Sequence, residues 1–222
     1  MARPFWVAVT GLRAEARLLR AINGTILVGG GDPARLESEL SRALGDGAGA
    51  VVSFGLAAGL APLLAPGAVV IPDQIVFGSM RYATDPDWNE RLRAVLPAAE
   101  RSALAGVKAP LCRSSDKVAL HAATAAVAAD MESQLVARLA SGRGRPFVAV
   151  RAICDPVERG LPPAARIGMR ADGGVDVPGV LASLIARPRQ LPELLRVALD
   201  ARIAMGALAR AADAVASVAT RG

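Results

Sequence analysis

The segment GAGAVVSFGLAAGLAPLLAPGAVVIP, residues Gly47–Pro72, carries no charged side chain. Its length alone satisfies a membrane span, which needs about 20 apolar residues. Its contents argue otherwise. Pro62 and Pro66 interrupt it, as do Gly49, Gly55, Gly59 and Gly67, and its β-branched residues gather in two short clusters, Val51-Val52 and Val69-Val70-Ile71. Two buried strands joined by a glycine-containing loop account for this pattern, because a strand covered on both faces reads as a continuous apolar run.

Working outward, strand-like runs recur at Phe5–Thr10, Thr25–Val28, Ala50–Phe54, Ala68–Ile71 and Phe147–Ile153. Amphipathic stretches lie at Ala14–Ile22, Pro33–Leu44, Ala129–Leu139 and from about Pro178 to Val218. The alternation predicts an α/β fold. Asp32 is placed to cap the second helix, with Pro33 at the first helical position, where its missing N–H costs nothing. Ala83–Asn89 and Arg159–Val177, rich in Pro, Gly and Asp, read as excursions between core elements, the kind of segment that covers active sites. No internal repeat or composition break divides the chain. A single domain over residues 1–222 is expected, and 53% hydrophobic composition supplies its core.

The net charge is +6, with only Lys108 and Lys117 as lysines, so arginine makes up 24 of the 26 basic residues. A basic balance draws nucleic acid, an anionic membrane or a phosphorylated substrate. No zinc-finger spacing, RNA-binding aromatic signature or basic arm is present, so no nucleic-acid partner is expected. Cys112 and Cys154 have no paired spacing and read as reduced thiols, and the first residues do not read as a secretory signal, so a cytoplasmic location is expected. No His, Cys and carboxylate cluster has metal-ligand spacing, so no metal is expected. The single histidine, His121, reads as a surface or helix-cap residue. No serine lies in a Gly-x-Ser-x-Gly turn.

Gly29-Gly30-Gly31 joins a strand to the capped helix. It is either an anion-holding turn or a plain tight turn, since it matches no dinucleotide or Walker spacing. Three carboxylates stand at or near the ends of apolar elements: Glu15, Glu132 and Asp155. Asp155 closes the run from Phe147, at the strand edge where open α/β sheets bind ligands. Glu132 sits in the first turn of an expected helix on which Met131, Leu135 and Leu139 form an apolar stripe. Each also has a plain reading, Glu15 and Glu132 as helix-dipole acids and Asp155 as an Asp-Pro turn residue.

Gly11-Leu-Arg-Ala-Glu-Ala-Arg-Leu-Leu19, Ser53-Phe-Gly-Leu-Ala-Ala-Gly-Leu60 with Pro66-Gly-Ala-Val-Val70, Ser115-Asp-Lys-Val118, Asp130-Met-Glu132 and Val150-Arg-Ala-Ile-Cys-Asp155 follow one another in this order. Together they resemble the nucleoside phosphorylase superfamily, close to its methylthioadenosine/S-adenosylhomocysteine nucleosidases. Arg81-Tyr-Ala-Thr-Asp85 and the tail Arg187-Pro-Arg-Gln-Leu-Pro192 are most similar to the hopanoid-associated phosphorylase branch.

The resemblance implies a three-layer α/β/α sandwich with a mixed central sheet, cleaving the N-glycosidic bond of a 5′-substituted adenosine and releasing adenine. Adenosylhopane is the substrate implied by the branch. In this reading Asp155 is the acid serving the purine, Glu15 activates the nucleophile from the opposite face, Glu132 grips the ribose hydroxyls and Met131 packs beneath the sugar. Val118, Ala119, Ala57 and Ala58 would meet the purine, and Gly11, Arg13 and Arg81 would hold phosphate. Two departures stand out. Val118 or Ala119 replaces the nucleosidases' stacking aromatic, and Ala57-Ala58-Gly59 stands where Ala-Gly-Gly is usual. No cofactor is expected beyond inorganic phosphate as co-substrate. The expected partners are a small-molecule or lipid-linked nucleoside, a second copy of the chain in a homodimer, and the inner membrane surface. That last, peripheral contact would run through the arginines beside Leu191, Leu194, Leu195, Leu199 and Ile203.

Overall fold

The computed structural model describes residues 6–20, 24–162, 165, 173–174 and 176–220. Phe5, the end of the helix expected at Ala14–Ile22 and most of Arg159–Val177 lie outside the described residues. The strands are β1 (Trp6–Thr10), β2 (Gly24–Val28), β3 (Ala50–Gly59), β4 (Val69–Val70), β5 (Gln74–Phe77), β6 (Met80–Ala83), β7 (Ala103–Gly106), β8 (Ala128–Asp130) and β9 (Phe147–Asp155). The helices are α1 (Arg13–Ala16), α2 (Pro33–Gly45), α3 (Pro86–Val95), α4 (Ser114–Thr124), α5 (Ser133–Ser141), α6 (Val177–Ala186) and α7 (Leu191–Thr220).

The strands form one mixed sheet in the order β2-β1-β3-β8-β7-β5-β6, with β9 beside β3 and β4 beside β9. β3 organises it. Its first half lies parallel to β1, β9 runs parallel to it from Val51 to Ala58, and its end, Ala58-Gly59, pairs antiparallel with Ala128-Ala129 of β8. Alternate side chains go to opposite faces, as the two-residue period of a strand requires. Val7, Val9, Val51 and Ala149 pack with Leu36, Leu40 and Leu44 of α2 and Val136 of α5. Trp6, Ala8, Val52, Val148 and Val150 pack with Leu92 of α3 and Ala204, Leu208, Ala211 and Val215 of α7. The charge-free segment therefore becomes two strands covered on both faces, and no described helix is long and apolar enough to cross a membrane.

Two expectations are corrected. The helix read over Ala129–Leu139 begins only at Ser133, because β8 occupies Ala128–Asp130 and the Asp130 carboxylate accepts from Ser133 N (3.0 Å) and Ser133 Oγ (2.8 Å), turning the chain between them. Ala83–Asn89 is not a loop. The segment ends β6 and starts α3, where Asp85 accepts from Trp88 N (2.9 Å) with Pro86 next, the same start that Asp32 and Pro33 give α2.

Candidate active site

The sheet delivers its functional groups to one place, the ends of β1, β3, β8 and β9. Glu15 belongs to the short helix that follows β1 and is buried. Its Oε2 accepts from Gly11 N (2.9 Å) and Leu12 N (2.8 Å), and its Oε1 accepts from Leu56 N on β3 (2.8 Å). Gly55 makes room for it, since a Cβ there would stand 2.8 Å from Glu15 Oε2. Burial raises the proton affinity of Glu15 above its ordinary value, while the three N–H donors and the Arg151 charge pull it back toward the ionised form.

Asp155, at the end of β9, is buried against an ammonium. Lys117 of α4 is 0% exposed, its Nζ 2.7 Å from Asp155 Oδ2. The same nitrogen donates to Pro156 O (2.9 Å) and Arg159 O (2.8 Å), so its position is fixed by backbone that does not titrate. Burial pushes the Asp155 carboxyl up, and Lys117 partly offsets the rise. A carboxyl with raised proton affinity at a cleft wall is placed to donate a proton to a departing base.

Glu132 stands between β8 and α5, close to the backbone of Gly11, where a Cβ would come within 2.9 Å of Glu132 Oε1. Burial, then the nearby Asp130 and Glu15 charges, push its carboxyl up to about 8 against the pull of Arg151. Beneath it is a buried polar network. Arg151, 1% exposed in the middle of β9, pairs with Asp130, donating through Nε at 2.8 Å, and also donates to Ser53 Oγ (2.6 Å) and Ser133 Oγ (3.0 Å). This network ties β3, β8, β9 and α5 together directly under the Met131-Glu132 segment.

These groups line a cleft of about 230 Å³ that brings together Gly11, Glu15, Ala57, Ala58, Met131, Glu132 and Asp155, with apolar walls from Leu56, Val107, Pro110, Leu111 and Leu161. A second cavity of about 390 Å³ shares Met131 and Glu132 and runs along Gly29, Gly30 and Gly31 to Leu36, Phe77 and Leu135. The glycine turn is thus a cavity wall. Two of its N–H groups are already used, Gly29 N donating to Thr10 O (2.7 Å) and Gly30 N to Gly11 O (2.9 Å).

Other expected site residues fall elsewhere. Val118 and Ala119 sit on the exposed side of α4, outside the cleft, because this helix turns Lys117 inward instead. Arg81 is exposed on β6 at the sheet edge, paired across from Val76. Arg13 is exposed on α1, and neither arginine lines either of these cavities. His121 lies in the last turn of α4, its Nδ1 2.7 Å from Ala126 O just beyond the helix. Lys117 and Arg151 were not assigned roles from the sequence. A lone arginine inside an otherwise apolar strand was the available signal, since such a charge requires a buried partner.

The family model of the phosphorylase superfamily matches residues 25–171. Among solved structures, the chain is similar to the 5′-methylthioadenosine/S-adenosylhomocysteine nucleosidase of Helicobacter pylori (13% identity, 100% of each chain covered, TM-score 0.70). It is also similar to that of Neisseria meningitidis (16% identity, 96% of this chain and 99% of the other covered, TM-score 0.68). Futalosine hydrolase of Helicobacter pylori resembles it over 70% of this chain and 89% of its own, at 16% identity and a TM-score of 0.61. At these identities the likeness shows a shared fold. Among curated proteins, none matches this chain by sequence.

Proposed function

This chain belongs to the phosphorylase superfamily, and from that premise we propose that it cleaves the N-glycosidic bond of a 5′-substituted adenosine and releases adenine. The observation that carries the reading is the gathering of Glu15, Glu132 and Asp155 around one apolar-walled cleft. Breaking the bond leaves negative charge on the purine and oxocarbenium character on the sugar. Asp155 protonates the departing base, and Glu15, fixed by three backbone donors, activates the nucleophile from across the cleft. Hydrogen bonds from the ribose hydroxyls favour the ionised form of Glu132, and that carboxylate stabilises the positive charge that builds on the sugar. The stabilisation grows toward the transition state, which is what accelerates a chemical step.

The nucleophile in this reading is water, because Arg13 and Arg81 do not line the cleft beside Gly11. The second cavity receives the 5′ substituent. Its volume and the apolar part of its lining, Leu36, Phe77 and Leu135 beside Lys108 and Arg138, support a large one, and the branch resemblance supports adenosylhopane; the nucleosidase neighbours support a methylthioadenosine-type substrate as the second reading. The chain acts as a homodimer in this proposal. The test is adenine release from adenosylhopane and from methylthioadenosine, with and without phosphate, with the sugar product weighed by mass spectrometry. The expected product is the free ribosyl species at a rate indifferent to phosphate. A ribosyl phosphate would make phosphate the nucleophile, and no adenine from either substrate would refute the assignment.

A further inference from the structure

Helix α6 reads Val-Pro-Gly-Val-Leu-Ala-Ser-Leu-Ile-Ala and contains no charged residue. A helix of that composition belongs in a core. None of its described side chains is buried, and Leu181 and Ile185 are 53% and 82% exposed. The chain then turns through Pro188–Gln190 into α7, whose first half presents Leu191, Leu195, Leu199 and Ile203 at four-residue spacing, all exposed. The second half of the same helix buries Ala204, Leu208, Ala211 and Val215 in the core. The exposed half is nonetheless built. Gln190 is buried and donates through Nε2 to Ser183 O (2.7 Å) and Ser183 Oγ (3.1 Å), and Asp176 accepts from Gly179 N (3.2 Å) at the start of α6. The neighbouring β3–β4 loop places Gly67 against Ile203 and carries Leu63, 95% exposed.

Scattered exposed apolar side chains need no explanation, but six large ones on two adjoining helices mark an interaction surface. Its charge is one-sided. Arg187, Arg189, Arg196 and Arg202 are exposed there; of the acids, Glu193 is exposed, while Asp200 is buried and paired with Arg159. At 1.5 Å per residue α6 is about 15 Å long, half of a bilayer core, so it lies on a membrane rather than across it. We propose that α6 and the first half of α7 form an interfacial anchor for an anionic lipid surface, with the apolar side chains entering the headgroup boundary and the arginines meeting lipid phosphates. A second copy of the chain fits this face less well, because a two-fold contact would set arginines against arginines.

The test is flotation of the full chain with phosphatidylcholine vesicles and with vesicles containing phosphatidylglycerol, at low and high salt. The chain should float with the anionic vesicles at low salt and lose roughly tenfold in bound fraction at high salt. Ile185→Glu with Leu195→Glu should reduce binding about tenfold or more, and Arg187→Gln with Arg189→Gln several-fold. All four positions are exposed, so circular dichroism and adenine release from a water-soluble nucleoside should match the wild type. Absence of flotation with anionic vesicles at low salt overturns the proposal, as does binding indifferent to the glutamates. So does light scattering in which Ile185→Glu with Leu195→Glu dissociates an oligomer of a chain that never binds vesicles, since a second copy then covers this face.

Discussion

Replacing Asp155 by Asn removes the proton donor, but it also leaves the Lys117 ammonium buried without its counter-charge. Breaking a buried pair from one side costs about 3–5 kcal/mol. Asp155→Asn is therefore expected to lose roughly 100-fold or more in turnover and to melt earlier as well. The two effects separate in the double variant. Lys117→Met with Asp155→Asn should regain much of the thermal stability and none of the turnover, whereas recovery of both would remove Asp155 from the chemistry. Lys117→Met alone takes away the charge that lowers the Asp155 proton affinity, so the alkaline limb of its kcat/KM profile should move to higher pH. Glu132 makes a prediction of opposite kind. Its carboxyl is raised from an ordinary 4.5 to about 8, so its favourable contribution to folding is complete below the lower value and is lost as pH rises through the upper one. Glu132→Gln should thus melt with the wild type in acid and above it once the pH exceeds about 8. Melting curves across that range decide it; a variant less stable than wild type at high pH would contradict the assignment.

At the scale of elements, the long apolar strands and the helix that begins at Asp32 and Pro33 were legible, because local sequence dictates them, whereas the same start at Asp85 and Pro86 was read as an excursion. β5 to β8 were not. They are three or four residues long, and alanine and glycine dominate β7 and β8, so their strand character comes from pairing with neighbours rather than from propensity. The three carboxylates could be read from motif order and element ends. Their supports could not, because Lys117 reaches Asp155 across 38 residues and Arg151 reaches Ser53 across 98. Val118 was read as facing the purine and Lys117 given no role, although one residue of helix rotation separates inside from outside on α4. The Arg151 network is an element-scale clamp, and Arg151→Met is expected to leave Asp130 charged and buried, with a loss of about 3–5 kcal/mol in denaturant unfolding. Adding Asp130→Asn should restore part of that loss. An Arg151→Met chain as stable as wild type would show that the network does not hold these strands together.

At the scale of the molecule, two apolar cores on either side of one mixed sheet leave the ends of β1, β3, β8 and β9 to assemble a site from residues 11 to 161. That is the economy of an α/β sheet, in which distant parts of the sequence end side by side. The family model covers the middle of the chain, residues 25–171, whereas Glu15 lies before it and the exposed helical surface after it. The measurement that bears most directly on the account is steady-state release of adenine from a 5′-substituted adenosine by the wild type, Asp155→Asn and Glu15→Gln, each checked for folding. The account predicts adenine from the wild type and a loss of roughly 100-fold or more in both variants, the scale of general acid and base catalysis. Folded variants of both residues that keep more than about a third of wild-type turnover would contradict it.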